Sequence, residues 1–288
     1  MSPQREPPGS ERTRGTSMLP SAVTVLAMCL GLSAVKFALD GALGFAYFSV
    51  AAAAVLDALD GRIARLLDVS SRIGAELDSL ADAISFGVAP ALVLFVTMLN
   101  GSRGGWVVSL VFVVCTVLRL ARYNTLLDDD TGPPFAKEFF TGVPSPSGAM
   151  VVLLPVAVSL QWGPGWWSSP PVVALWVLGV AGLMVSRLPT LAISSVGVPP
   201  RYAAPYLVLV GAIIAGLTVF PYAMVVGSTV VYLAHLPLAA RRWRWLAAHP
   251  GAWHAPAAQR DRVRGRSQRR LRLRTPGSRG RLAGRRRH

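Results

Sequence analysis

The stretch of sequence that decides the fold reads Asp57-Ala-Leu-Asp60-Gly61-Arg62-Ile-Ala64-Arg65 and then, eight residues later, Gly74-Ala-Glu-Leu-Asp78-Ser-Leu-Ala-Asp82. At about 100° per helical residue, the two aspartates of the first part share one helix face with its glycine and its second alanine. The glycine and both aspartates of the second part recur at every fourth residue, so they share one face of another helix. Two such helices set side by side bring four carboxylates together.

Four carboxylates in one place repel one another strongly unless cations lie among them. Hard oxygen ligands of this kind suit Mg²⁺ or Mn²⁺, and two such divalent cations would bridge the two helices. The small residues Gly61, Ala64 and Gly74 leave room for another molecule to reach the metals. The alternative is that the acids cap helices or are solvated at a membrane edge, but eight specified residues at fixed offsets argue against it. The predicted metal ligands are Asp57, Asp60 and Asp78, and the fourth carboxylate is that of Asp82.

The composition is that of a membrane protein. Of the 288 residues, 52% are hydrophobic and only 15% are charged, whereas soluble domains carry roughly a quarter charged residues. The formal net charge of +15 lies entirely in the segment 241–288, which contains 16 arginines and one acid. The remaining 240 residues hold 13 basic and 13 acidic side chains.

Apolar runs along the chain predict an all-α, polytopic bundle of about eight transmembrane helices, with six helices as the fallback. Cationic residues alternate between the connections, which predicts that both termini and the aspartate-bearing helix ends face the cytoplasm in a multi-pass cell-membrane protein. The predicted runs are Leu19–Leu39, Gly44–Leu59, Ile84–Leu99, Trp106–Leu120, Ala149–Leu160, Val172–Val185, Ala203–Phe220 and Tyr222–Leu238.

The two ends of the chain differ from this apolar middle, residues 18–240. Residues 1–17 are polar and rich in proline, and we expect them to be disordered. The tail 241–288 is too charged to pack, and we also expect it to be disordered. No aromatic interleaving or fold motif in it points to nucleic acid. Attraction to anionic lipid, worth about 1 kcal/mol per cation near the surface, explains the tail better.

The spacing D-x2-D-G-x2-A-R-x8-G-x3-D-x3-D resembles the signature of the CDP-alcohol phosphatidyltransferase family, with every motif position filled. The resemblance implies a six-helix core, here with two further helices, a homodimer and CDP-diacylglycerol as donor. It implies that the acids hold the metals and that Asp82 also acts as general base. The donor would lie over Gly61, Ala64, Arg65 and Gly74.

Three later segments resemble the bacterial phosphatidylserine synthase branch of that family. The segments are Val117-Leu-Arg119-Leu-Ala-Arg122-Tyr-Asn124, Phe139-Phe-Thr-Gly-Val-Pro-Ser-Pro and Leu183-Met-Val-Ser-Arg187-Leu-Pro. The resemblance spans roughly residues 18–240 and departs at Ser21, where many relatives carry asparagine. It implies transfer of a phosphatidyl group to L-serine, whose carboxylate an arginine would bind bidentately. The predicted serine-binding residues are Arg119, Arg122, Asn124 and Arg187.

Other interpretations stay open at this point. The three arginines are equally typical of cations that anchor helix ends at the inner membrane face. Within the family, glycerol 3-phosphate or an inositol phosphate is an alternative acceptor, although a phosphorylated acceptor needs a denser basic pocket. An ion transporter with intramembrane carboxylates is a different class, and it predicts acids at mid-span rather than at helix ends beside glycine and arginine.

Overall fold

The computed structural model describes residues 10–66, 72–127, 139–186, 189–191 and 203–248. Almost all of these residues are helical, as the apolar runs predict. The helices are α1 (Ser10–Leu39), α2 (Leu43–Leu66), α3 (Arg72–Asp82), α4 (Ala89–Leu94), α5 (Gly105–Leu127), α6 (Ser145–Val152), α7 (Leu154–Trp162), α8 (Pro170–Val185), α9 (Ala203–Val219) and α10 (Pro221–Ala247). Two π-helical segments (Ala83–Val88 and Phe95–Leu99) and a 3-10 turn (Trp166–Ser168) complete the helical part.

Five helical stretches are long and apolar enough to cross a membrane, and the bent pair α6–α7 makes a sixth if it counts as one span. The polytopic helical bundle is therefore confirmed, but the count of eight spans is not. Each predicted run does fall on a helix, yet α8 and Pro205–Val219 are too short to meet the same length criterion. The five long spans are Ser21–Leu39, Leu43–Ile63, Ile73–Leu99, Gly105–Thr125 and Pro221–Trp245.

The N-terminal boundary also differs from the prediction. Helix α1 begins at Ser10, inside the segment 1–17 for which the sequence predicts disorder, and residues 1–9 lie outside the described part. The chain separates into two units, Met1–Ala240 and Arg241–His288. Only residues 241–248 of the second unit are described, and 241–247 form the end of α10, although the sequence predicts disorder there.

The second half of the aspartate motif and the third membrane span form one continuous helical stretch. Helix α3 passes directly into the π-helical segment after Asp82, then into α4 and the second π-helical segment, which ends at Leu99. Helix α2 likewise runs without a break from its apolar first half into the residues that carry Asp57 and Asp60. Both pairs of acids are thus fixed to the ends of membrane-crossing helices.

Helix α1 packs against α2 and against the start of the third span. The α1–α2 connection turns at Gly41, whose φ of 76° is a left-handed conformation that glycine adopts without strain. Within α1, a Cβ at Gly31 would lie 2.7 Å from the Cα of Ser85. This close approach holds α1 beside the residues that follow Asp82, so α1 forms one wall of the region that the acids occupy.

Two three-residue strands are the only β-structure in the described ranges. Strand β1 (Phe139–Thr141) pairs antiparallel with β2 (Pro189–Leu191), with Phe140 opposite Thr190. Gly142 follows β1 with a φ of 83°, and a Cβ there would lie 2.7 Å from the carbonyl oxygen of Met184. This pairing ties the entry to α6 to the segment that follows α8, but it leaves the all-α fold class unchanged.

Candidate active site

Helices α2 and α3 bring three of the four aspartates together. One carboxylate oxygen each from Asp57, Asp60 and Asp78 lies within 4.8 Å of the others, an arrangement able to hold a metal ion. Asp60 is buried, with 4% of its surface exposed, Asp57 is half-buried and Asp78 is exposed. The cluster therefore runs from the protein interior to an accessible edge, which allows both tight ligation and entry of a ligand.

Asp82 lies beside this cluster rather than within it. Its carboxyl group is a hydrogen-bonding partner of the Asp57 carboxyl group. Two carboxyl groups approach this closely only when a proton or a cation lies between them. The charge of Arg119 acts on both acids from α5. The fourth aspartate thus adjoins the predicted metal ligand Asp57 and lies within the electrostatic influence of the buried Arg119.

Gly61 follows Asp60 on α2 and opens a space that no described protein atom fills. It is exposed, and a Cβ built on it meets no heavy atom within 4 Å. Glycine inside a helix is less stable than alanine by roughly 0.5–1 kcal/mol, so packing gives no reason for glycine here. Gly74 is half-buried on α3. Ala64 and Arg65 continue α2, but their side chains lie outside the described part.

The arginine-rich end of α5 is engaged with two other elements. Arg119 is buried, with 7% of its surface exposed, and its Nη1 donates to the hydroxyl of Ser145 at the start of α6. The Nε of Arg119 is buried with no hydrogen-bond partner among the described residues. Arg122 instead donates to the backbone carbonyl oxygens of Val185, at 3.0 Å, and Ser186, at 3.2 Å.

The remaining predicted serine-binding residues are placed differently. Asn124 donates from Nδ2 to the hydroxyl of Ser79 at 2.8 Å, and Ser79 lies on α3 between Asp78 and Asp82. This contact joins the end of α5 to the helix that carries the two acids. Arg187 lies outside the described residues. Arg119 is thus the predicted cation that the structure brings to the acids.

A comparison with family models agrees with this geometry. The model of the CDP-alcohol phosphatidyltransferase family matches residues 17–186, a range that contains all four aspartates as well as Arg119 and Ser145. The chain belongs to this family.

Similar proteins from mycobacteria cover nearly the whole of this CDP-alcohol phosphatidyltransferase. Proteins named CDP-diacylglycerol–serine O-phosphatidyltransferase from Mycobacterium tuberculosis (strain ATCC 25618 / H37Rv) and Mycobacterium bovis (strain ATCC BAA-935 / AF2122/97) are each 47% identical to it over 281 residues. Those alignments cover 94% of this chain and 98% of each relative. A protein of the same name from Mycobacterium leprae (strain TN) is 45% identical, and that alignment covers 94% of both chains.

Two contacts in this CDP-alcohol phosphatidyltransferase were missed by the sequence analysis. Thr24 of α1 donates from Oγ1 to Oδ2 of Asp60 at 2.8 Å, and Ser145 accepts from Arg119. Each residue lies far along the chain from its partner, and a buried hydroxyl residue has no periodicity that marks it. Only the spatial arrangement of α1, α5 and α6 around the acids identifies them.

Proposed function

We propose that the chain transfers the phosphatidyl group of CDP-diacylglycerol to the hydroxyl of L-serine, releasing CMP, in a reaction that depends on divalent cations. The observation that carries the proposal is the convergence of Asp57, Asp60 and Asp78 from two helices. The names of the mycobacterial relatives, which align over nearly their full length, support serine as the acceptor.

The acids fit Mg²⁺ or Mn²⁺ by their chemistry and spacing. Their three carboxylate oxygens, all within 4.8 Å of one another, are hard ligands that these cations prefer. Asp82 adjoins Asp57 and provides a further carboxylate ligand for the second of two cations. When bound, divalent cations polarise a phosphoryl group and offset the negative charge that develops on the leaving phosphate.

The donor binds over the open face of α2 and α3. A Cβ on Gly61 would meet no described heavy atom within 4 Å, so the diphosphate approaches the acids along the backbone of α2 in this proposal. Ala64, Arg65 and Gly74 complete the proposed donor site by their positions on the same two helices. The acyl chains remain in lipid beside the membrane spans.

Asp82 acts as the general base. It accepts the proton of the serine hydroxyl, and the serine oxygen then forms a bond to the lipid-side phosphorus as the bond from that phosphorus to the CMP oxygen breaks. The electron pair of the broken bond leaves with CMP. Removing the proton matters because a neutral hydroxyl is a poor nucleophile. The adjacent Arg119 and the predicted metal ligand Asp57 keep this base close to both the acceptor and the donor.

Arg119 binds the carboxylate of serine. Its guanidinium is held by Ser145 through Nη1 while its buried Nε has no partner in the described residues. A guanidinium matches a carboxylate in a planar, two-bond contact. Arg122 bonds to the end of α8 and Asn124 bonds to α3. In this proposal these two residues position the helices that surround the acceptor site. This arrangement places the amino-acid acceptor next to Asp82.

The site lies at the cytoplasmic face of the cell membrane in this proposal. If successive spans cross the membrane in opposite directions, the acids of α2, the start of α3 and the end of α5 share one membrane face. Arg62, Arg72 and Arg122 lie at these same helix ends, as cytoplasmic ends require. The arginine-rich tail, 241–288, then meets anionic lipid at that face. The proposed assembly is a homodimer, as the family resemblance implies.

The experiment that tests the function offers several acceptors in parallel. Purified protein in detergent receives CDP-diacylglycerol, Mn²⁺ and labelled serine, glycerol 3-phosphate or inositol phosphate, and labelled lipid and CMP are measured. We expect lipid labelling from serine alone. Labelling from glycerol 3-phosphate and none from serine would refute the acceptor, and no CMP release with any acceptor would refute the transfer.

A matched pair of variants ties the reaction to the acid cluster. Asp78→Asn removes a predicted metal ligand and should abolish transfer. Asp40→Asn removes an exposed acid that pairs with Lys36 at the other end of the α1–α2 hairpin, and it should leave transfer intact. Equal activity in the two variants would contradict the assignment of the cluster.

A further inference from the structure

The hydroxyl of Thr24 is bonded to an acid on another helix. Its Oγ1 donates to Oδ2 of Asp60 at 2.8 Å across 36 residues of sequence. Both residues are buried, with 5% of Thr24 and 4% of Asp60 exposed. A bond between two buried side chains is little weakened by water, so it restrains the Asp60 carboxylate effectively.

Other threonines in the membrane helices of this chain behave differently. Thr97 and Thr116 donate to the carbonyl oxygens of Val93 and Phe112, four residues earlier in their own helices. That local bond is the usual choice of a helical threonine. The hydroxyl of Thr24 bonds to an acid on α2, so this bond links the wall formed by α1 to the cluster.

We propose that Thr24 is a positioning residue for the divalent cation, fixing the orientation of the Asp60 carboxylate that binds it. The inference rests on the proposed metal-dependent function. Asp60, Asp57 and Asp78 repel one another before a cation arrives, and a carboxylate free to rotate would turn away from its neighbours. The bond to Thr24 keeps Asp60 in place.

The chemistry of the Thr24 hydroxyl suits the orientation of a metal ligand. A hydroxyl is neutral, so it takes one lone pair of the Asp60 carboxylate and leaves the negative charge available to the cation. A guanidinium in the same place would pair with that charge and compete with the cation for it. Groups that orient metal ligands in this way commonly change metal affinity about 10- to 100-fold when they are removed.

The test measures metal binding directly. Purified Thr24→Val, Thr24→Ser and unaltered protein are titrated with Mn²⁺ without any lipid substrate, and free Mn²⁺ is followed by electron paramagnetic resonance. Valine has nearly the shape of threonine but no hydroxyl, so we expect Mn²⁺ affinity to fall about 10- to 100-fold. Serine retains the hydroxyl and should restore affinity to within a few-fold.

Thr116→Val is the matched control, because it removes an equally buried threonine hydroxyl that bonds to the carbonyl oxygen of Phe112 and the sulfur of Met184 rather than to an acid. Its Mn²⁺ affinity should equal that of the unaltered protein. If Thr24→Val does not fold, Thr24→Ala provides the same comparison, since alanine favours the helix. Unchanged Mn²⁺ affinity in the folded variant, or an equal loss in Thr116→Val, overturns the role of Thr24. Failure of the unaltered protein to bind Mn²⁺ would instead refute the proposed metal dependence.

Discussion

Replacing Gly61 by alanine should make the protein more stable and a poorer enzyme. An added Cβ meets no protein atom within 4 Å, so the substitution causes no clash in the fold. Alanine in a helix is favoured over glycine by roughly 0.5–1 kcal/mol, and we expect stability to rise by about that amount. The methyl group projects into the space proposed for the donor diphosphate. We therefore expect kcat/KM for CDP-diacylglycerol to fall at least about tenfold, equivalent to about 1.4 kcal/mol.

Two measurements on the same preparation separate these effects. Thermal unfolding in detergent, followed by circular dichroism, reports stability, and CMP release at varied surface concentrations of CDP-diacylglycerol reports donor use. Gly179→Ala on α8 is the control, because a Cβ there also meets no atom within 4 Å, and it should change stability without changing donor use. A Gly61→Ala enzyme with unaltered kcat/KM for the donor would show that the open face of α2 is not the donor site.

Three further predictions follow from the site. Asp82→Asn should lower CMP release by about 100-fold or more in a protein that retains its helical circular dichroism, and near-normal turnover would remove Asp82 as the base. Arg119→Lys should raise the KM for serine about tenfold in kinetic assays, because lysine cannot form the planar two-bond contact with a carboxylate. Arg122→Ala should instead lower stability by about 1–3 kcal/mol in thermal unfolding, since Arg122 bonds the end of α8. A KM effect from Arg122→Ala and only a stability effect from Arg119→Lys would exchange their roles. Deleting the residues after Pro250 should leave CMP release in detergent largely intact, and an inactive truncation would show that the tail does more than bind lipid.

The acid cluster could be predicted from sequence because helical periodicity converts spacing directly into direction. Asp57 and Asp60 lie on one helix and Asp78 on the next, so a single assumption, that the two helices pack together, was enough. The same assumption said nothing about Thr24, because the contact between α1 and α2 depends on how the whole hairpin packs. A lone threonine in an apolar run has no pattern that separates it from Thr116.

The proposed acceptor side was predictable only in part. The sequence marks Arg119, Arg122 and Asn124 as polar residues at one end of a span, and spacing alone cannot tell which of them bonds to other protein groups. The structure separates them through their partners, Ser145 for the first and the backbone of α8 for the second. The count of eight spans is not confirmed, because hydropathy marks α8 and α9 as apolar without showing how short those helices are.

The order of the site residues along the chain divides the molecule into two modules. All four acids and Thr24 come from the first 82 residues, a compact hairpin followed by the start of one more span, whereas Arg119 and Ser145 come later. In this proposal the early module binds the CDP-diacylglycerol donor and the later one binds the acceptor alcohol. Substitutions in the later helices can therefore change the acceptor alcohol while the acid cluster stays the same. Acceptor specificity can then diverge without any change in the first 82 residues.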